Sequence, residues 1–137
     1  RMHLQVLSVH CDSSGVLHFP RYHDMAWQVI ENWFDEALDW SYARMQGHDR
    51  AATTVVQSRA GFPTPSRLGD NLLWTLRVAR LGQTAMDLSL IAHCGAQTRA
   101  DMTVSIVLTS LGVLHPRTWP ETVRARAAEY RSDATPA

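Results

Sequence analysis

The feature that most constrains the fold is a long segment without helix-breaking residues. After Pro20 there is no glycine or proline until Gly47, and Pro20 itself suits the first turn of a helix, where a backbone N–H lacks an intrahelical partner. Apolar residues of this segment would cover most of a helix circumference. They are Met25, Ala26, Trp27, Val29, Ile30, Trp33, Phe34, Ala37 and Leu38. A helix that is apolar on so many sides must be surrounded by the rest of the chain.

The rest of the chain predicts strands. Four segments alternate apolar and polar residues as half-buried strands do: 51–60, 71–80, 83–93 and 97–111. The connections at 81–82 and 94–96 suffice only for hairpins, which makes the last three strands neighbours in one antiparallel sheet. Residues 2–9 predict a further strand, and residues 120–130 a short terminal helix. We therefore expect an α+β fold in which a five-stranded antiparallel sheet curls around one long helix from Pro20 to Gly47.

Chain length and charge restrict the class of protein further. A chain of 137 residues with 45% hydrophobic residues predicts a single domain, which we place at residues 1–131, with a disordered tail at 132–137. Thirteen basic and thirteen acidic residues give no net charge, so we expect binding neither to nucleic acid nor to a membrane surface. No segment approaches the ~20 apolar residues that span a bilayer.

Cysteine use and the first residues predict the compartment. Cys11 and Cys94 lack CxxC spacing, and two cysteines are too few for the disulfide framework of a small secreted domain. The first residues lead directly into an alternating segment and do not resemble a signal peptide. We therefore expect free thiols and a cytoplasmic location.

The most distinctive motif lies between the first strand and the long helix. Residues 10–22 read His-Cys-Asp-Ser-Ser-Gly-Val-Leu-His-Phe-Pro-Arg-Tyr. This segment resembles the HCD-x-x-G-x-x-x-x-P-x-Y signature of hot-dog-fold acyl-CoA thioesterases of the 4-hydroxybenzoyl-CoA thioesterase type. Residues 65–70 are similar to the P-[AS]-R-x-G-[DE] turn before that family's third strand, and residues 116–124 to its terminal segment. The resemblance spans almost the whole chain and implies the hot-dog fold.

The resemblance implies that Asp12 is the catalytic carboxylate of a thioester hydrolase. A thioester is already activated, so a carboxylate that attacks its carbonyl carbon or activates a water is sufficient. The start of the long helix would polarise the carbonyl through the backbone N–H groups of Phe19 and Tyr22, since Pro20 has none. Alternatively, Asp12 only caps the Ser-Ser-Gly turn with its side chain.

Other residues are candidates for holding the substrate, which would be an acyl-CoA or an acyl-carrier protein. Gly15, His18 and Trp27 are candidates for an acyl pocket. Alternatively, His18 is a surface histidine of the loop and Trp27 belongs to the core or to a subunit contact. Among the arginines, Arg67 and Arg99 are candidates for the phosphates of CoA, because guanidinium groups bind phosphate well; a solvated sheet edge explains them equally. The histidines show neither HxxxH nor HExxH spacing, so no metal or other cofactor is expected.

Two other functions remain open at this point. One is a hot-dog dehydratase or hydratase acting on a hydroxyacyl thioester, which needs paired acid and base groups. The other is a non-catalytic protein that binds acyl thioesters. Independently of the function, a single sheet curled around one helix leaves an open edge, which we expect a second subunit to cover. The resemblance implies a homodimer or homotetramer with active sites at the junction of two sheets.

Overall fold

Five strands and three α-helices make up the computed structural model, which describes residues 1–132. In chain order they are β1 (Met2–Gln5), α1 (Phe19–Glu36), α2 (Tyr42–Gly47), β2 (Ala51–Gly61), β3 (Asn71–Leu81), β4 (Ala85–Cys94), β5 (Gln97–Ser110) and α3 (Glu121–Ala128). Residues 133–137, most of the predicted tail, lie outside the described residues. None of the helices within residues 1–132 is both long and apolar enough to cross a membrane.

All strands belong to one antiparallel sheet with the order β1-β3-β4-β5-β2. The alternation in the sequence fixes which face of each strand meets the core. On β3, for example, Leu72, Trp74 and Val78 are buried, whereas Arg77 between them is exposed. The predicted hairpins at 81–82 and 94–96 are confirmed, because β3, β4 and β5 are direct neighbours.

Helix α1 packs along the concave face of this sheet. Its buried residues are Tyr22, Met25, Ala26, Val29, Ile30, Trp33 and Phe34. Ile30 and Phe34 are completely buried, and burial of side chains of this size contributes about 1.5–3 kcal/mol each to stability. The predicted architecture, a curled five-stranded sheet around one apolar helix, is thereby confirmed.

The predicted extent of the helix was wrong at its C-terminal end. It ends at Glu36, and a separate helix α2 begins at Tyr42. Asp39 between them has φ of 52°, a conformation that Asp tolerates better than most residues. The Ser41 hydroxyl accepts a 3.2 Å hydrogen bond from the Arg44 N–H and so caps α2. The break turns Trp40 into the core, where it is 3% exposed.

The first strand is also shorter than predicted. It ends at Gln5, and a 3₁₀ turn at Ser8–His10 follows. Val6 leaves the strand because its backbone bonds to the loop before β3: its N–H donates to the Asp70 carbonyl (2.8 Å) and its carbonyl accepts from the Gly69 N–H (2.9 Å). This loop, residues 62–70, is the extended connection between β2 and β3, and it contacts the segment that carries the sequence motif.

Candidate active site

Residues 10–18, which carry the motif, form a small hairpin between the 3₁₀ turn and α1. Cys11 pairs with Leu17, the Asp12 N–H donates to the Val16 carbonyl (2.9 Å), and the His18 N–H donates to the His10 carbonyl (2.9 Å). Gly15 in the turn has φ of +76°, which a residue with a Cβ rarely adopts. The hairpin therefore pairs the Asp12 backbone with Val16, two residues before His18, the N-cap of α1.

The Asp12 carboxylate has two differently used oxygens. Its Oδ1 accepts hydrogen bonds from the Ser14 N–H (2.9 Å) and the Val16 N–H (3.1 Å), as expected for a side chain that caps the turn. Its Oδ2 has no hydrogen-bond partner among residues 1–132, and the side chain is exposed. Capping thus orients the carboxylate and leaves one oxygen available for chemistry.

The start of α1 offers an unoccupied backbone donor. The helix has 18 residues, no side-chain cap at His18 and no acidic residue in its first turn, so its dipole is not compensated by a nearby carboxylate of the helix itself. The Phe19 N–H has no partner in the described part of the chain, whereas the Arg21 N–H donates to the His18 carbonyl (2.9 Å).

The structure distinguishes the two predicted backbone donors. Tyr22 is the fourth residue of α1, and N–H groups from this position onward have intrahelical partners. Its role in the structure lies in its side chain instead, since the buried hydroxyl donates to Ser66 Oγ at 2.9 Å. Of the two predicted donors, the Phe19 N–H is therefore the one without an intrahelical partner.

An aromatic stack that the sequence reasoning missed covers the start of α1. Phe62 lies between Phe19 (ring centroids 5.1 Å apart, 9° between planes) and Tyr22 (4.5 Å, 19°). Phe19 is 60% exposed, so the stack is open to the surface at its Phe19 end. The one sequence signal for Phe62 was its position in the long loop that interrupts the strand pattern.

An apolar cavity lies next to the first turns of α1, between this helix and strands β2 and β5. Its volume is about 240 Å³. Apolar lining residues are Ala26, Trp27, Ile30, Val55, Met102 and Val104, and His23, Asp24 and Ser58 are the polar ones. Of the three acyl-pocket candidates, the structure places Trp27 in this cavity, whereas Gly15 and His18 belong to the hairpin and its end.

Tyr42 supports the Trp27 ring from behind. The two rings meet edge to face, with centroids 5.8 Å apart, and the Tyr42 hydroxyl is hydrogen bonded to Thr53 Oγ1 at 2.9 Å. Burial raises the pKa of Tyr42 well above its usual range. Tyr42 is therefore neutral at physiological pH and acts as a packing residue.

The two arginine candidates differ in what they contact. Arg67 is exposed, and its backbone pairs with Val16 of the hairpin. Among the described residues its guanidinium forms no hydrogen bond or salt bridge, and it interacts with Asp70 only through their charges. Arg99, in contrast, forms an ion pair with Asp70 (2.8 Å), and its side chain is only 11% exposed. The Arg99 guanidinium thus has internal partners, whereas its role in binding CoA phosphates stays a prediction.

Side chains that could bind a metal ion do not converge in the structure. Within residues 1–132, no group of three or more His, Cys, Asp or Glu side chains is arranged to hold one. Both cysteines are free and half-buried.

Comparison with known proteins adds information at the level of fold. No protein-family model matches the sequence, and no curated protein matches it significantly. Solved structures do match. A 1,4-dihydroxy-2-naphthoyl-CoA thioesterase from Synechocystis superposes with a TM-score of 0.84 at 19% identity, over 93% of this chain and 94% of that one.

Two further structures give the same result. A gentisyl-coenzyme A thioesterase has a TM-score of 0.83 at 16% identity, covering 93% of this chain and 99% of its own. A hypothetical protein from Staphylococcus aureus in complex with CoA has a TM-score of 0.84 at 14% identity, over 94% of this chain and 81% of that one. The chain described here therefore has the hot-dog fold, a five-stranded antiparallel sheet wrapped around a central helix, as the resemblance of its sequence motifs implied.

Proposed function

We propose that this protein is an acyl-CoA thioesterase that hydrolyses a thioester to a free acid and a thiol. The observation that carries the proposal is the hairpin of residues 10–18. It leaves Asp12 Oδ2 free and ends at His18, the N-cap of α1, so in this proposal the carboxylate acts on a thioester held at the open N-terminus of the helix. The names of the similar structures, which include two CoA thioesterases and a CoA complex, support a CoA thioester as substrate.

The proposed reaction assigns each part of the site one task. The Phe19 N–H and the helix dipole stabilise the negative charge that develops on the thioester oxygen. Asp12 Oδ2 acts as the nucleophile or as the general base. On the first route it attacks the carbonyl carbon and forms an anhydride, which water then hydrolyses. On the second route it removes a proton from a water that attacks the carbonyl carbon. On either route the C–S bond breaks, the thiolate of CoA takes a proton, and the acyl group leaves as a carboxylic acid.

Two neighbouring features accommodate the rest of the substrate in this proposal. The cavity that Trp27 lines takes the acyl group, because it is apolar and lies alongside the first turns of α1. The exposed guanidinium of Arg67 binds a phosphate of CoA, since its backbone is paired with the hairpin itself. The cytoplasmic location expected from the sequence stays a prediction.

We further propose that the active unit is at least a homodimer joined along β2. The outer side of β2 has no strand partner in the described part of the chain, and every residue from Val55 to Gly61 is exposed. Val55 and Val56 are 46% and 61% exposed. Unpaired strand edges with apolar side chains are commonly covered by another subunit, and antiparallel pairing of two copies of β2 would join the sheets. The tetramer stays a prediction.

The test is release of free thiol from a panel of acyl-CoA substrates, with the protein's own Cys11 and Cys94 accounted for by a substrate-free control. Turnover with at least one acyl-CoA supports the proposal. A dehydratase or hydratase would change the acyl chain without releasing CoA, and a binding protein would retain the ligand unchanged. Either of these outcomes across the panel would contradict hydrolysis.

A further inference from the structure

Arg99 lies at the centre of a polar network underneath the candidate site. Its Nη1 donates to Asp70 Oδ2 (2.8 Å), to the Pro65 carbonyl (3.1 Å) and to Ser66 Oγ (3.3 Å). Its Nη2 donates to Gln97 Oε1 (3.0 Å). One guanidinium on β5 therefore binds both ends of the segment 65–70.

The same segment supports the hairpin that carries Asp12. The Leu17 N–H donates to the Ser66 carbonyl (2.8 Å), and the Leu68 N–H donates to the Gly15 carbonyl (2.8 Å). Gly15 lies in the turn capped by Asp12 Oδ1, and Leu17 lies on the arm of the hairpin that returns from this turn. Displacement of residues 65–70 would consequently displace the turn and its carboxylate.

The network also reaches α1. Ser66 Oγ, which accepts from Arg99, also accepts from the Tyr22 hydroxyl (2.9 Å). Ser66 is fully buried and Tyr22 is 1% exposed. The segment 65–70 thus contacts both components of the site, the carboxylate turn and the start of the helix, and Arg99 is the charged group that fixes the segment to the sheet.

The charges within the network are balanced. Asp70 is the carboxylate that pairs with Arg99, and the Arg67 N–H and the Arg99 guanidinium together hold the pKa of Asp70 below its usual value. The ion pair is partly shielded from water, with side-chain exposures of 11% for Arg99 and 29% for Asp70. Removal of Asp70 would leave the mostly buried Arg99 charge without its carboxylate, which is costly.

We propose that Arg99 is a positioning residue for thioester hydrolysis, holding residues 65–70 so that Asp12 and the Phe19 N–H keep their relative placement. This inference rests on the proposed function. Misplacement of reacting groups by about 1 Å can cost about 100-fold in rate. Because Arg99 acts through the loop and does not contact the substrate, its loss should lower kcat and leave KM nearly unchanged.

The test compares Arg99→Met with Arg77→Met, a matched control on the exposed outer face of β3. Each is assayed with an acyl-CoA and with the same acyl group on N-acetylcysteamine, which lacks the CoA phosphates. Positioning predicts that Arg99→Met lowers kcat at least about 10-fold on both substrates, with Arg77→Met unaffected. An increase of KM confined to the CoA substrate would instead show a phosphate-binding role and overturn the inference, as would unchanged kcat.

A double variant separates this inference from the proposed function. In the Asp12→Asn background, Arg99→Met should cause no further loss, since there is no longer a carboxylate to position. An additive loss would overturn the inference. Absence of turnover by the wild type would refute the proposed function, and full activity of Asp12→Asn would refute the catalytic role of Asp12 in it. An inactive Asp12→Asn together with an active Arg99→Met would refute the positioning role alone. Should Arg99→Met fail to fold, Asp70→Asn and Ser66→Ala are assayed under the same criteria.

Discussion

The hydroxyl of Tyr22 donates a 2.9 Å hydrogen bond to Ser66 Oγ, joining the first turn of α1 to a loop 44 residues away in the sequence. Both residues are buried. Ser66 has a second partner in Arg99, whereas no other hydrogen bond of the Tyr22 hydroxyl is present in residues 1–132. Removal of the Tyr22 hydroxyl therefore leaves Ser66 with a partner, whereas removal of the Ser66 hydroxyl leaves the Tyr22 hydroxyl with none among these residues.

The first prediction follows from that difference. Tyr22→Phe should lower the free energy of unfolding by about 1 kcal/mol, because Ser66 keeps the Arg99 guanidinium as a partner. Ser66→Ala should cost more, about 1–3 kcal/mol, because it leaves the buried Tyr22 hydroxyl without an acceptor. Urea denaturation of both variants measures the difference. Equal losses, or a larger loss for Tyr22→Phe, would contradict this account of the bond.

A second prediction concerns acid stability. The Arg67 N–H, followed by the Arg99 guanidinium, lowers the pKa of Asp70 in the folded protein. Its contribution to stability is therefore fully present above the unfolded Asp pKa of about 3.9 and is lost as pH falls through the lower folded value. The stability difference between wild type and Asp70→Asn should be constant near neutral pH and shrink below about pH 4. A stability difference between wild type and Asp70→Asn that increases at acid pH would contradict a lowered pKa of Asp70.

The proposed dimer gives a third prediction. Val56→Asp places a charge on the exposed edge of β2, so it should shift the protein toward monomer in sedimentation equilibrium. Val113→Asp is the matched control, because Val113 is similarly exposed (62%, against 61% for Val56) and lies in the loop after β5. Dissociation by both variants, or by neither, would argue against pairing along β2.

The cavity beside α1 leads to a fourth prediction. Trp27 lines it together with Met102 and Val104, so Trp27→Ala removes a large part of one wall. We expect kcat/KM for bulky acyl-CoA substrates to fall about 10-fold or more, on the scale of one or more lost apolar contacts. Acetyl-CoA, which barely enters the cavity, serves as the internal control. A uniform loss on all substrates would mean that Trp27 supports the fold and does not contact the acyl group.

Much of the fold could be predicted because it depends on local patterns. Buried and exposed side chains alternate along β3, with Leu72 and Trp74 facing inward, because successive side chains of a strand point to opposite faces. The short connections between β3, β4 and β5 allow only hairpins. The end of α1 was missed because the apolar pattern continues through Trp40. Asp39 and Ser41, residues suited to a left-handed position and an N-cap, were the available signal.

Candidate site residues could be predicted only where a short motif contains them. Asp12 and Phe19 lie in one continuous segment, so the sequence offered both as candidates, and their roles are proposals. Arg99 and Asp70 are 29 residues apart, and nothing local in the sequence distinguishes an arginine that binds a phosphate from one that holds a loop. Phe62 was missed for the same reason, since its partners are defined by tertiary structure.

The most direct test of the central claim is the turnover of Asp12→Asn. Asparagine keeps the Oδ1 acceptor for the Ser14 and Val16 N–H groups, so the turn and the thermal unfolding midpoint should be preserved. Asp35→Asn, at an exposed carboxylate on α1, is the matched control and should behave as wild type. Loss of the ionised Oδ2 should lower kcat for acyl-CoA hydrolysis by about 100-fold or more. A kcat close to that of wild type in Asp12→Asn would contradict the account.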